Sequence, residues 1–572
     1  VTMRICGIKL THDGAVAVVE DGRLLFCIEQ EKRANNPRYQ AITDLCAVTL
    51  ALAEHGLRPT DVDRFVIDGW DGLTHSQFDV LSEGVPLTIK GAPYIESHEN
   101  TLLTPYAGSG LVLDRVPLRY HSYAHVAGHV AGAYCTSAFA KARAPALCLV
   151  WDGCIFPRLY HVDPTGARFL DTLFPFIGHA YAIAGQHFGP YRQASRAGWD
   201  LGVAGKLMAY IGLGALDEGI LAVFQEMYEA CLAGPSERAR AYRASINDPE
   251  ALLAATDWFF EACGRRLTGT PSEDVLASFH VFLERLLEQE IGLALLRHSG
   301  LPGLRHLCIA GGCGLNIKWN SALRATGLFD SVWVPPFPND SGSAIGAACA
   351  AMAEPNALTP LEWSVHSGPA LTGSNPSGQW EALPCTIVEL AALIATGKPV
   401  VFLTGLAELG PRALGGRSII AAATSKEMKD LLNDIKLRER FRPVAPICLE
   451  DRAAEIFDPG SPDPYMLFDH QTRREWRTKV PAIVHLDGSA RLQTISRTSP
   501  QKIAALLVEY EKLTGIPLLC NTSANHPGRG FFPDVASACD WGRVDHVWCD
   551  GFLWQRSVEA GLTLSNSALV TD

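Results

Sequence analysis

The sequence predicts an α/β protein of at least two domains, and three observations predict it. Its 572 residues exceed the ~250–300 at which a single hydrophobic core stops growing. Apolar, β-rich runs alternate with stretches of helical period along most of the chain. One segment between Glu362 and Trp380, SVHSGPALTGSNPSGQ, is rich in Ser, Gly and Pro and lacks apolar periodicity, and the alternation restarts beyond it. Domains over 1–365 and 381–572 with a linker over 366–380 follow from this pattern.

The elements can be justified in order. RICGIKL, then HDG, then AVAVVEDGRLLFCIEQE alternate strand runs with turn dipeptides, as a strand and hairpin require. ITDLCAVTLALAEHGL has helical pattern, and VDRFVIDG is again a strand. VPLRYH, APALCLVWDG and LRHLCIAGG continue the series, with helical stretches between them. After the linker come the strand KPVVFLTG, the helical KEMKDLLNDIK, and KIAALLVEYEKLTGIPLLC, a helix that turns into a strand. The chain has no short-period repeat or low-complexity tract.

Composition narrows the class. With 48% apolar and 19% charged residues the chain reads as soluble and globular. A formal charge of −12 argues against a nucleic-acid partner, which demands clustered Lys and Arg, and is compatible with a cationic small substrate. The 16 cysteines form no Cys-x-x-Cys pairs, so they are expected as buried apolar residues rather than zinc ligands. Neither a long apolar leader nor an 18-residue apolar span is evident, so no membrane partner and a cytoplasmic location are expected.

Four constellations could carry chemistry. In YHSYAHVAGHVAGAY, His121, His125 and His129 recur every four residues, a spacing that aligns side chains on one helical face and lets two of them hold one metal ion. Partly buried histidines without a metal are the alternative. Asp152 ends an apolar run and Asp340 precedes a helical one; both could complete such a site, or act as turn and cap residues. Two His and one or two carboxylates suit a divalent transition metal, iron, zinc and manganese included. The turn CIAGGCGLN brings Gly311, Gly312 and Asn316 to the start of a helix, where backbone amides can face a nucleotide. His12, after the first strand, has the titration range of a general base. Beyond the linker, GPRALGGRS offers Arg412, Arg417 and Ser418, NDIKLRERFRP offers Lys436, Arg438 and Arg442, and later segments add Arg491, Asn521, Ser523, Asn525 and Arg529, a set suited to phosphates. Turn and capping roles are the alternative for its Asn and Ser members.

In this order, HDGA, HVAGHVAGAYCTSAF, VWDG, AGKLMA, AGGCGLN, PNDSGSAIGAA, GPRALGGRS, NDIKLRERFRP and TGIPLLCNTSAN resemble the motifs of the nodulation-type carbamoyltransferase family, which includes O-carbamoyltransferases of antibiotic biosynthesis. The resemblance spans nearly the whole chain. It implies an N-terminal actin-like ASKHA domain of the Kae1 type and a C-terminal YrdC-like domain. The latter would convert carbamoyl phosphate and ATP, with Mg(2+), to carbamoyladenylate; the former would transfer the carbamoyl group to a hydroxyl beside Fe(2+). The family register makes His125 and His129 the metal pair, to the exclusion of His121, joined by Asp152 and Asp340, with His12 as base. Lys206, Gly311, Gly312, Asn316 and Asp340 would face the adenylate. Arg412, Arg417, Ser418, Lys436, Arg442, Arg491, Asn521, Ser523 and Arg529 would bind ATP and carbamoyl phosphate. The chain departs from the family pattern after Asp152, at Leu406 and at Ala524.

Within the family the likeness points to members that act on the aminoglycosides tobramycin and kanamycin. Such a polycation would favour acidic contacts, for which Asp13 and Asp71 are candidates. Other natural-product hydroxyls are the alternative acceptors. A tRNA threonylcarbamoylation enzyme shares the domain types but calls for basic patches; hydrogenase-maturation transferases carry Cys-x-x-Cys fingers absent here; a non-catalytic nucleotide-binding regulator has no use for a metal pair and a base.

Overall fold

The computed structural model describes residues 2–72, 75–97, 101–192, 201–353, 357–378 and 380–556. Position 379 of the expected linker and 557–572 of the expected second domain lie outside them. The chain divides into two units, Val1–Glu29 with Tyr39–Ser364, and Gln30–Arg38 with Val365–Asp572. A nine-residue excursion near the N-terminus therefore belongs with the second unit.

The first unit is built on two sheets. In one, strands β1 (Arg4–Lys9), β2 (Ala15–Glu20) and β3 (Arg23–Glu29) form an antiparallel meander, and β4 (Arg64–Asp68) pairs parallel to β1. A separate hairpin of β5 (Ser76–Ser82) and β6 (Val85–Gly91) precedes β7 (Tyr106–Leu113) and β8 (Val116–Tyr123), and β8 lies parallel to β4, giving the order β3-β2-β1-β4-β8-β7. The second sheet comprises β9 (Ala146–Val150), β10 (Arg158–Asp163), β11 (Gly166–Thr172), β12 (His306–Ala310) and β13 (Ser331–Trp333) in the order β11-β10-β9-β12-β13. Here too an antiparallel meander is followed by two parallel strands. The two sheets share one plan, a duplication that no sequence repeat betrays. Central strands are buried on both faces, which is why ALCLV of β9 is continuously apolar instead of alternating.

Each plan ends in a helix, His125–Cys135 after β8 and Ser343–Ala351 after β13. The two helices meet backbone to backbone: a Cβ on Gly346 would lie 2.0 Å from the Gly128 carbonyl oxygen, so glycine is required there. That approach brings the N-terminal ends of both helices to the C-terminal ends of β1, β4 and β9, the usual position of a ligand crevice in α/β sheets.

The second unit carries β14 (Trp380–Pro384), β15 (Val400–Leu403), β16 (Arg417–Ala421), β17 (Ala445–Leu449), a small sheet of β18 (Phe457–Asp458), β19 (His470–Thr472) and β20 (Ser489–Ala490), then β21 (Gln493–Ile495), β22 (Leu518–Ser523), β23 (His546–Cys549) and β24 (Phe552–Arg556). Its main sheet runs β14-β24-β23-β15-β16-β22-β17-β21. Alternate residues of β15 feed two cores, Val401 and Leu403 on one face and Val400 and Phe402 on the other. The helix Lys426–Ile435 covers the first face through Met428 and Leu432, and Ile387–Ala395 and Lys502–Thr514 cover the second through Leu390, Ile394, Ile503 and Leu507. The Ser-, Gly- and Pro-rich stretch is tied to this unit: Leu409 N donates to Val365 O at 2.7 Å, Gly368 N to Ala407 O at 3.0 Å and Ala407 N to Pro369 O at 2.9 Å.

Candidate active site

Strand ends and helix starts converge in the first unit on one polar centre. His125 and His129 sit one turn apart on the first helix, Asp152 follows β9, and Asp340 opens the turn into the second helix. All four are buried, and one ligand atom from each lies within 4.8 Å of the others. The two Nε2 atoms are 3.1 Å apart. His125 Nε2 is 3.4 Å from Asp340 Oδ1 and 3.7 Å from Asp152 Oδ2. His121 stays on β8 outside this group.

A surrounding layer fixes these side chains. Asp68, at the end of β4, accepts from His125 Nδ1 at 2.7 Å, which leaves Nε2 as the inward lone pair. Lys9, at the end of β1, bridges Asp68 at 3.0 Å and Asp340 at 2.8 Å and lies 3.9 Å from the Trp70 ring centroid. Tyr94 stacks on His125 at 4.9 Å and its hydroxyl donates to Asp152 Oδ2 at 2.9 Å. Gly312 N–H donates to Asp152 Oδ1 at 2.6 Å. Gly311 adopts φ +86°, and a Cβ there would meet the Trp151 carbonyl oxygen at 2.3 Å.

Charge in this centre is strongly coupled. Burial alone would raise the carboxyls of Asp152 and Asp340, but His125 and His129 hold Asp152, and Lys9, His125 and His12 hold Asp340, well below the usual range. Burial disfavours the charged imidazole of His125, yet Asp68 and Asp340 raise it well above the ordinary histidine value. Three carboxylates, Asp68, Asp152 and Asp340, stand against the one lysine, Lys9, leaving an excess of two negative charges for protons or a divalent cation to meet.

His12 lies beside the cluster, with Nε2 3.5 Å from Asp340 Oδ2 and Nδ1 3.1 Å from Asp13 Oδ2. Asp13 thus orients His12, a use of that carboxylate different from the acceptor contact expected of it. Burial lowers His12, but Asp340 and Asp13 outweigh it and raise its pKa. Asp71 is exposed at its surface, yet the partial desolvation of its carboxyl, followed by the carboxylates of Asp248 and Glu250, raises it. Asn316 spends Oδ1 on capping its helix, accepting from Lys318 N and Trp319 N at 3.2 and 3.3 Å. Lys206 Nζ lies 5.6 Å from the Tyr191 ring centroid, on the helix Val203–Tyr210.

In the second unit the Gly-rich loop encloses an internal carboxylate. Glu408 Oε1 accepts from the backbone N–H groups of Leu414, Gly416 and Arg417 at 2.7, 2.6 and 3.1 Å. Arg417 is buried and donates to the carbonyls of Thr404, Gly416, Pro369 and Gly405, so its guanidinium holds the loop together where a phosphate contact was expected. Ser418 Oγ accepts from Gly415 N at 3.1 Å. Lys436 commits Nζ to Ser523 O, Asn525 O and Asn525 Oδ1 at 2.7, 2.9 and 2.6 Å. That uses its three donors and makes it a support for β22 and the following loop. Arg529 donates to Asn35 O at 3.0 Å.

Arg491, Arg438 and Arg442 differ from these. Burial and then neighbouring arginines push Arg491 down to about 10 and Arg438 to about 9. Arg491 Nε, and Asn521 Oδ1 on β22, are buried with no partner among the described residues, while Asn521 Nδ2 donates to Ala413 O and Gln493 Oε1. Buried cations that repel one another, one of them with an unused donor, are features that an anion would satisfy.

Comparison with known families decides what kind of protein holds these two sites. Residues 4–349 match the family model described as carbamoyltransferase N-terminus, and 391–556 match the carbamoyltransferase C-terminus. The chain is a carbamoyltransferase. Nodulation protein U of Bradyrhizobium diazoefficiens is 69% identical over 97% of this chain and 98% of that protein. Nodulation protein U of Rhizobium tropici is 68% identical over 98% and 97%. The 3'-hydroxymethylcephem-O-carbamoyltransferase of Streptomyces clavuligerus is 32% identical over 97% and 99%.

Sequence reasoning about this carbamoyltransferase missed Lys9, Asp68 and Tyr94 as site residues. A signal exists for Asp68: FVIDG and LVWDG are the same run, an apolar strand closed by Asp-Gly, the pattern that makes Asp152 a candidate. Lys9 closes an apolar strand as well, where a buried cation needs a nearby carboxylate.

Proposed function

We propose that this carbamoyltransferase acts in two steps, one in each unit. In the second unit, water releases phosphate from carbamoyl phosphate, and the resulting carbamate displaces pyrophosphate from ATP, with Mg(2+), to give carbamoyladenylate. In the first unit, an acceptor hydroxyl attacks the carbamoyl carbon and AMP leaves. The two-sheet plan of a meander followed by two parallel strands supports reading the first unit as actin-like, of the ASKHA (Kae1-like) kind, and the second is taken as YrdC-like.

The observation that carries the transfer step is the buried set His125, His129, Asp152 and Asp340. Its donors, two imidazoles and two carboxylates whose surroundings leave two negative charges over, fit a divalent ion, which this reading takes as Fe(2+). When bound, such an ion supplies Lewis acidity toward the carbamoyl carbonyl. The remaining work falls to the chain. His12 takes the hydroxyl proton at Nε2 while Asp13 holds its Nδ1–H. Asp68 and Tyr94 fix the ligand side chains, and Gly311, Gly312 and Lys206 line the adenylate. Arg412, Arg442, Arg491 and Asn521 hold phosphates in the second unit.

For the acceptor, relatives at 69% and 68% identity, both named nodulation proteins, favour a hydroxyl on a product of nodulation. The aminoglycoside reading, tobramycin or kanamycin, is the second, and the carboxylates of Asp71, Asp248 and Glu250 favour it because a polycation would relieve their repulsion. Incubation of the protein with ATP and carbamoyl phosphate, followed by mass spectrometry of each acceptor class, tests both. A gain of one carbamoyl group identifies the acceptor; pyrophosphate release that ignores carbamoyl phosphate would refute the first step.

A further inference from the structure

The excursion Gln30–Arg38 leaves the first sheet directly after β3, yet it belongs with the second unit. Its polar and backbone groups are committed there at both ends. Lys32 is buried, and its Nζ donates to Glu408 O at 2.6 Å and to Gly410 O at 2.5 Å, some 376 and 378 residues along the chain. It also lies 5.0 Å from the Phe531 ring centroid. Asn36 O accepts from Gly530 N and Arg38 N donates to Gly528 O, both at 2.9 Å, while Arg529 Nη1 reaches Asn35 O. A Cβ on Gly530 would lie 1.7 Å from Glu31 O, so the two backbones are in direct contact.

One of the two loops that the excursion grips carries Arg412, which the adenylation reading assigns to phosphate. Glu408 is the carboxylate on which the amides of Leu414, Gly416 and Arg417 are organised, and Gly410 stands two residues before Arg412. Asn525, in the other loop, receives Lys436. We infer that Lys32 is a positioning residue for the adenylate-forming step: its ammonium pins the carbonyls of Glu408 and Gly410, and through them sets the loop that carries Arg412. A buried ammonium is costly unless hydrogen-bonded; an apolar chain of similar length would fill the space but remove the one donor group that joins the carbonyls of Glu408 and Gly410. The geometry of the loop, rather than the fold of the unit, is what depends on the charge.

This inference rests on the adenylation reading, and one experiment separates their failures. Pyrophosphate exchange into ATP, dependent on carbamoyl phosphate, is measured for the full chain and for Lys32→Met and Lys32→Arg, with thermal midpoints alongside. The expected result is a fall in exchange kcat of about 10–10²-fold for Lys32→Met, with KM for ATP raised and recovery to within a few-fold in Lys32→Arg, whose guanidinium can still donate to both carbonyls. Wild-type exchange in Lys32→Met overturns the inference alone. Loss in both variants with equally lowered midpoints also overturns it, because that is the mark of a purely structural residue. No exchange in the unaltered protein overturns the adenylation reading and this inference together.

Discussion

Asp68 Oδ2 accepts from His125 Nδ1 at 2.7 Å while Lys9 approaches the same oxygen at 3.0 Å. One carboxylate therefore fixes the imidazole tautomer and anchors the lysine that also reaches Asp340. Asp68→Asn preserves shape but removes the charge. It is expected to weaken divalent-metal affinity by about 10–100-fold, the usual effect of altering such a partner. Competition with a chromogenic chelator measures this, and unchanged affinity would show that Asp68 serves the fold alone.

His12 and Asp13 form a second coupled pair, 3.1 Å apart. Transfer from supplied carbamoyladenylate is expected to fall about 10²–10⁴-fold in His12→Ala and by a smaller factor, about 10–10²-fold, in Asp13→Asn, where the base remains but its orientation is lost. Carbamoyl-phosphate-dependent pyrophosphate exchange should be unaffected by either substitution. Parallel loss of both activities in His12→Ala would remove the division of labour between the units.

The sequence was most legible where chemistry and local pattern coincide. The His125–His129 spacing and the Asp closing the β9 run supply three of the four members of the metal-type cluster, because four-residue helical spacing and strand-end placement are local facts. Asp340 was readable through its family motif. Long-range relations were not legible. The duplicated sheet plan is encoded in strand pairing, and the crossing at Gly128 and Gly346 joins glycines over two hundred residues apart. Arg417 and Lys436 looked like phosphate ligands because residue type reveals a donor but not its partner; only folding shows that backbone carbonyls absorb those donors. The excursion Gln30–Arg38 was invisible for the same reason, since no local pattern marks nine residues that join a distant unit.

Arg417 and Arg491 should respond differently to the same change. Arg417→Met removes a buried guanidinium that donates to four carbonyls of the loop and its neighbours, and a loss of about 2–4 kcal/mol in urea unfolding is expected together with loss of activation. Arg491 is repelled by Arg442 and has an unpartnered Nε, so Arg491→Met should cost little stability or even add some, while pyrophosphate exchange falls by about 10²-fold. A large destabilisation in Arg491→Met would place it with the structural arginines.

The helix Ser272–Arg297 supplies a pH-dependent term in stability that is remote from either step. Burial, followed by repulsion from Glu288, raises the carboxyl of Glu284 to about 7, and His280 Nε2, 3.8 Å away, offers little compensation because burial holds that imidazole neutral, at about 3. Since the folded value lies above the unfolded 4.5, the folded chain retains a proton that the unfolded chain has lost. The favourable contribution is complete below pH 4.5 and disappears as pH rises through 7. Replacement by glutamine removes the titration at similar size. Glu284→Gln should therefore gain on the wild type between pH 5 and 8, by about 1–2 kcal/mol once solvent screening of a side chain 28% exposed is allowed for. Denaturant unfolding of both proteins across that range measures the difference, and parallel stability curves would show that Glu284 ionises in the folded chain as it does in the unfolded one.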